Sequence, residues 1–205
     1  MNRKMTVVGA AVCLAAGVAF AERTETRLGN WTVDGQPVAV PHTWNALDGA
    51  DGQGAYPTDK DNSVVGHGYL HTCKTYAAKL ADPKAEKRYF VHCGGASVHA
   101  TVAVNGRLVG EHRGPQTAFA FEITPFLRAY GNVLEIAVDN YVDEDAPPLY
   151  GDYTVFGGLY RPVTLIETDP VCVDPLVAGG PGFTVEAEAD GTVRAEAFVN
   201  GAASE

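Results

Sequence analysis

"ASVHATVAVNGRLVGEHRG", running from Ala96 to Gly114, decides the fold. Val98, Ala100, Val102 and Val104 share one parity, so a strand here turns one apolar row inward and the alternate row outward. Asn105-Gly106 follows, and both residue types tolerate the positive φ that a two-residue primed turn requires. The segment is a hairpin.

The same pattern extends both ways. Upstream lie "YLHTCKTYAAKL" (69–80) and "KRYFVHCGG" (87–95). Downstream, "TAFAFEITPFLRAYGNVLEIAVDNY" (117–141) reads as a strand, then a short turn or helical segment around Pro125–Ala129. A second strand follows with Leu134, Ile136 and Val138 on one face. "LYRPVTLIET" (159–168) closes the set, and "QPVAVPHTWN" (36–45) adds a short apolar segment stopped by Pro41. Nothing between these strands is long or periodic enough for a helical crossover, so the sequence predicts an all-β, two-sheet sandwich. From Ala46 to Gly68 the chain is rich in Gly, Asp, Asn and Ser, which reads as a long exposed loop of the kind that carries binding work.

"DPVCVDPLVAGGPG" (169–182), with three prolines and three glycines, reads as a connector. "FTVEAEADGTVRAEAFVN" (183–200) is then a strand, an Asp190-Gly191 turn and a second strand. Two strands alone are marginal, so this hairpin is the opening of a second sandwich or an appendage that docks elsewhere. The expected division is a leader at 1–21, a sandwich at 22–169, a connector at 170–181 and an incomplete second β domain at 182–205.

The leader is read from Arg3 and Lys4, the apolar run after them, and the small-x-small ending Ala19-Phe20-Ala21. This is the pattern of an export signal cut between Ala21 and Glu22, and the run is too short to span a bilayer comfortably. A periplasmic or extracellular protein is expected, with no membrane partner after cleavage. Cleavage moves the formal charge from −10 to −12 by removing two basic residues and no acidic ones. That balance disfavours nucleic acid and is compatible with a neutral ligand such as a carbohydrate. Of the remaining cysteines, Cys73 and Cys93 flank "ADPKAE" (81–86). They are either a disulfide across antiparallel strands or two separate buried thiols. No spacing suggests a metal site, no motif suggests a cofactor, and His67, His71, His92, His99 and His112 are scattered.

"VAVPHTWNALDG" (38–49), "VAVNGRLVGEHRGPQTAFAFEITPFLRAYGNVLEIAVDN" (102–140) and "GDYTVFGGLYRPVTLIETDP" (151–170) together resemble one known domain. It is the amino-terminal, galactose-binding-like jelly roll of glycoside hydrolase family 2, the family of bacterial β-galactosidases and β-glucuronidases. "VDPLVAGGPGFTVEAEAD" (173–190) resembles the entry to that family's immunoglobulin-like domain. The resemblance implies a truncated immunoglobulin-like hairpin after the jelly roll, and a (β/α)8 catalytic domain elsewhere, in cis or in trans. That reaction needs two carboxylates, about 5–5.5 Å apart in retaining enzymes, on a barrel of about 250 residues. No segment of this chain resembles one, so no catalytic residue is expected in it. Glu135 and Asp139 read as surface charge, and Asp143, Glu144 and Asp145 as solvated loop charge.

The resemblance also implies roles for single residues. Asp152 sits where galactosidase members place an aspartate that reaches the barrel's active site and holds the sugar, as a carboxylate can by accepting two hydroxyl hydrogen bonds. Its alternative is to cap its own turn. Trp44 either stacks on a sugar or packs in the core, and Asn45 is a weaker ligand candidate. Asn140 is expected to serve turn geometry. Gly157 and Gly158 are expected to provide positive φ or a bulge, and Arg161 a buried or semi-buried ion pair with a carboxylate. The expected partner is a β-galactoside or related carbohydrate. The competing readings are a free-standing carbohydrate-binding module and a gene fragment without function.

Overall fold

The computed structural model describes residues 3–46 in part (3–8 by their backbone, then 22–46), together with residues 70–141, 143 and 156–201. The described strands are β1 (Arg3–Val8), β2 (Arg23–Arg27), β3 (Trp31–Val33), β4 (Gln36–Val38), β5 (Cys73–Lys79), β6 (Arg88–Cys93) and β7 (His99–Val104). They continue with β8 (Arg107–Arg113), β9 (Phe119–Glu122), β10 (Val133–Asp139), β11 (Val163–Thr168), β12 (Cys172–Val173), β13 (Phe183–Ala187) and β14 (Val193–Asn200). A six-stranded sheet runs β4-β3-β5-β10-β7-β8 and a four-stranded sheet runs β2-β11-β6-β9. A third joins β1, β14 and β12, with β13 also pairing β14.

The first two sheets face each other as a jelly-roll sandwich. Ala100, Val102 and Val104 from β7 meet Leu134, Ile136 and Val138 from β10 in one buried cluster with Tyr89, Val91 and Cys93 from β6. Each strand delivers alternate residues to that cluster because side chains in a strand alternate faces. Asn105 (φ 55°) and Gly106 (φ 75°) make the expected turn between β7 and β8. Asp34 (φ 51°) and Gly35 (φ 75°) make the same turn between β3 and β4. Asn105 does more than turn the chain. Its Nδ2 donates to Phe126 O and Asn132 Oδ1, both at 2.9 Å, and its Oδ1 accepts from Val133 N at 3.1 Å. The hairpin is thereby tied to the start of β10.

Two expectations are corrected here, and one open alternative takes its second form. Cys73 and Cys93 are not bonded. "ADPKAE" carries the chain from the large sheet to the small one instead of turning it back within one sheet, so Cys73 opens β5 exposed while Cys93 ends β6 in the core. Burial pushes the Cys93 thiol up to about 12, which makes it an inert packing group. The connector is also more than a spacer: β12 pairs with β14, and Cys172 buries with Phe90 and Ile166 on the outer face of the small sheet. Those two side chains point away from the sandwich core, and a large apolar pair on an outer face needs a cover. His92 Nε2 meets Gly179 O at 2.9 Å on that same cover. Lastly, Asp143 is not solvated. It is 8% exposed, with Oδ2 at 2.5 Å from His99 Nε2 and 2.9 Å from Arg113 Nε.

β1 falls inside the segment read as a leader, and its six residues pair antiparallel with β14, from Arg3↔Val199 to Val8↔Arg194. It supplies the third strand that an isolated hairpin lacks.

Candidate functional site

One corner of the sandwich gathers "PHTWN", the residues just before β5, the end of β10 and the glycine pair at 157–158. Asn45 and Asn140, both fully buried, are its centre. Asn45 Oδ1 accepts Gly157 N at 2.7 Å and Asn140 Nδ2 at 3.4 Å, while its Nδ2 donates to Leu70 O at 3.0 Å. Asn140 Nδ2 also donates to Leu70 O at 3.0 Å, and its Oδ1 accepts Thr72 N at 2.9 Å. Its carbonyl lies 2.8 Å from His71 Nδ1. A carboxamide suits this place because it offers two donors and an acceptor in one plane, and buried backbone groups in loops need such partners.

The arrangement has a topological meaning. Asn45 and Leu70 stand near the two ends of the segment 47–69, and Asn140 and Gly157 near the two ends of 142–155. All four ends are joined by one network. Asp152 lies outside the described residues, on the second of these segments.

Trp44 and the glycines interlock beside the network. The Trp44 indole donates from Nε1 to Leu70 O at 3.2 Å and lies so close over Gly157 that a Cβ there would sit 1.9 Å from its Cζ2. Gly157 is therefore required by close approach, whereas Gly158 (φ 127°) has the positive φ expected of the pair. A Cβ on Gly158 would stand 2.5 Å from His42 O and 2.7 Å from Tyr76 OH. The His42 main chain donates to Leu159 O at 2.8 Å, and its Nδ1 shares a 2.7 Å hydrogen bond with the buried hydroxyl of Tyr76.

Burial, followed by the nearby Lys74 ammonium, holds the His42 imidazole below its ordinary value of 6.5. A depressed folded-state value means that the contribution of neutral His42 is present above pH 6.5 and is lost as pH falls through the lower value. The stability gap between the wild-type chain and His42→Gln should therefore shrink between pH 7.5 and pH 5 in urea melts. A gap that stays constant over that range would show that this imidazole does not titrate with unfolding.

Arg161 departs from expectation. It is exposed, and its Nη1 donates to Gly94 O at 3.1 Å and Gln116 O at 2.9 Å. Two main-chain carbonyls take the place of the expected carboxylate. Its neighbour Tyr160 donates its hydroxyl to Pro115 O, and a Cβ on Gly95 would stand 2.7 Å from that hydroxyl oxygen. The pair Gly94-Gly95 thus makes room for both side chains. "CGG" at 93–95 was the available sequence signal for it.

Of the residues read as sugar ligands, Trp44 is half-buried against the core and Asn45 presents no surface to a ligand. Asn140 serves loop geometry, as expected. Among the described residues no group of three or more His, Cys, Asp or Glu could hold a metal. An open groove of about 570 Å³ between Arg27–Trp31 and Pro37–Val40 carries one charged side chain, Arg27, and no carboxylate, so its lining supplies no acid and base.

No protein-family profile matches the chain. It is 35% identical over 151 residues to a β-glucuronidase of Bacteroides fragilis, covering 73% of this chain and 20% of that protein. It is 42% identical over 84 residues to a β-galactosidase of Thermoanaerobacter pseudethanolicus, covering 38% of this chain and 11% of that one. Among solved structures, an FMN-binding β-glucuronidase from Facaelibacterium prausnitzii L2-6 superimposes with a TM-score of 0.74 at 33% identity, over 88% of this chain and 28% of its own. The chain spans about a fifth of the length of the Bacteroides relative. With the jelly roll and these likenesses in hand, the chain is an all-β domain homologous to the β-galactosidases and β-glucuronidases of glycoside hydrolase family 2, matching their amino-terminal sugar-binding region.

Proposed function

We propose that the chain is the non-catalytic sugar-binding and scaffold domain of an exported hydrolase that cleaves terminal β-glycosidic bonds of galactosides or related sugars. Its partner would be a (β/α)8 catalytic domain, supplied in cis or in trans. The observation that carries this is the Asn45–Asn140 network, which holds the ends of segments 47–69 and 142–155 together at one corner. A domain that fastens two long polar segments to a rigid sandwich presents them jointly to a neighbour. Asp152, on the second segment, is our candidate for the sugar-holding carboxylate, while Asn45 and Trp44 belong to the corner where that segment ends at Gly157. The leader pattern supports a periplasmic or extracellular location, and the relatives reported above are bacterial.

Half of a shared site binds weakly, because most of the hydrogen bonds that offset polyol desolvation are missing. The purified chain should therefore turn over no nitrophenyl β-galactoside or β-glucuronide. Calorimetric titration with the corresponding sugars should show nothing tighter than millimolar. Turnover that disappears on substitution of a specific residue of this chain would overturn the non-catalytic reading. Micromolar binding would favour a free-standing carbohydrate-binding module.

A further inference from the structure

We infer that the corner formed by Asp169 and Lys87 is a receptor for the chain's own α-ammonium group at Glu22, completed when the leader is removed. The inference rests on reading residues 1–21 as that leader. Glu22 N lies 2.7 Å from Asp169 Oδ2, and Asp169 N donates back to Glu22 O at 3.2 Å. This extends the β2–β11 pairing one step past Arg23↔Thr168. Lys87 Nζ bridges the same two residues, at 2.8 Å from both Glu22 Oε2 and Asp169 Oδ1.

The charge balance points the same way. While Glu22 N is an amide, two carboxylates face one ammonium. Hydrolysis of the Ala21–Glu22 bond places the water's hydroxyl on the Ala21 carbonyl carbon and its hydrogen on the Glu22 nitrogen, which takes a further proton at neutral pH. The new ammonium replaces one N–H donor by three and brings the corner to neutrality. Asp169 is ready for it. The hydrogen bond from Lys87, then that from Glu22 N, already holds its carboxyl below the usual range. The other charges nearby are engaged with each other. Lys84 Nζ sits 2.6 Å from Glu167 Oε1, and Arg23 turns to Glu25 at 2.7 Å and to Pro181 O at 3.3 Å.

Two measurements test this separately. The full 205-residue chain is expressed in an exporting bacterium and the product weighed by intact mass spectrometry, with a start at Glu22 expected. A different start overturns the leader reading and, with it, maturation as the event that completes the corner. Independently, a chain starting at Glu22 is released from an amino-terminal fusion cut directly before that residue, and its α-amine is titrated by NMR. The expected pKa lies above the ordinary range of about 7.7–8.0. Asp169→Asn should lower it, Lys87→Gln should raise it further, and retaining Ala21 as the first residue should return it to the ordinary range. An α-amine that titrates alike in the Glu22-start chain, in Lys87→Gln and in the Ala21-start chain overturns the receptor, whatever the mass spectrum shows. The last two comparisons stand even where Asp169→Asn fails to fold.

Discussion

Replacing Gly158 with alanine is expected to destabilise the sandwich by about 3–5 kcal/mol in urea denaturation, combining strain at positive φ with overpacking. Two independent penalties fall on one atom. At φ 127° an L side chain adopts a conformation that glycine visits freely and other residues rarely do. The added Cβ would also stand 2.5 Å from His42 O, a main-chain atom in a segment tied to Leu159 by hydrogen bonding, so the obstruction cannot swing aside. Gly106 separates the two penalties. Its φ is 75°, and a Cβ there meets nothing within 4 Å, so Gly106→Ala should cost about 1 kcal/mol, from strain alone. If both substitutions cost the same, the close approach of the 42–43 and 158 segments is not a real constraint on this corner.

The second large effect is expected at Asn140. Removing its carboxamide in Asn140→Ala deprives the Thr72 N–H of its acceptor and ends the hydrogen bonds to Leu70 O and Asn45. Each buried polar group left unsatisfied costs about 1–3 kcal/mol, so a loss of about 3 kcal/mol is expected. Asn45→Ala should lose a similar amount through the Gly157 N–H. Because the two side chains touch, the double variant should lose less than the sum of the singles, by at least about 0.5 kcal/mol. Limited proteolysis supplies the functional readout, with either substitution accelerating cleavage within 47–69 and 142–155 before global unfolding. Additive losses, or cutting unchanged in those segments, would mean that the network does not couple their ends.

Side-chain parity was legible where it should be. The inner rows of β7 and β10 follow directly from alternation, and Asn-Gly specifies its turn by backbone sterics alone. Asp34-Gly35 carries the same chemistry and could have been read the same way. What alternation does not contain is which sheet a strand joins, and for that reason the sequence left the bridge between Cys73 and Cys93 open. Ionic partners were equally hidden. Arg161 finds carbonyls of Gly94 and Gln116, and Asp143 finds His99 and Arg113, through contacts between residues far apart in the chain. The corner was half visible: the glycine pair stood out, but the need for Gly157 depends on a tryptophan more than a hundred positions earlier, and Asn45 reads as a ligand until its carboxamide is seen to be fully engaged.

β14 takes β13 and β12 along one side and β1 along the other. In a polypeptide that begins at Glu22, the amides and carbonyls of 194–199 that now face Arg3–Val8 become an unclosed seam beside the exposed apolar side chains of Phe183 and Val185. Seams of this kind zip onto any extended peptide of matching length. On the reading of residues 1–21 as a leader, its removal would leave this edge of β14 open to strand addition.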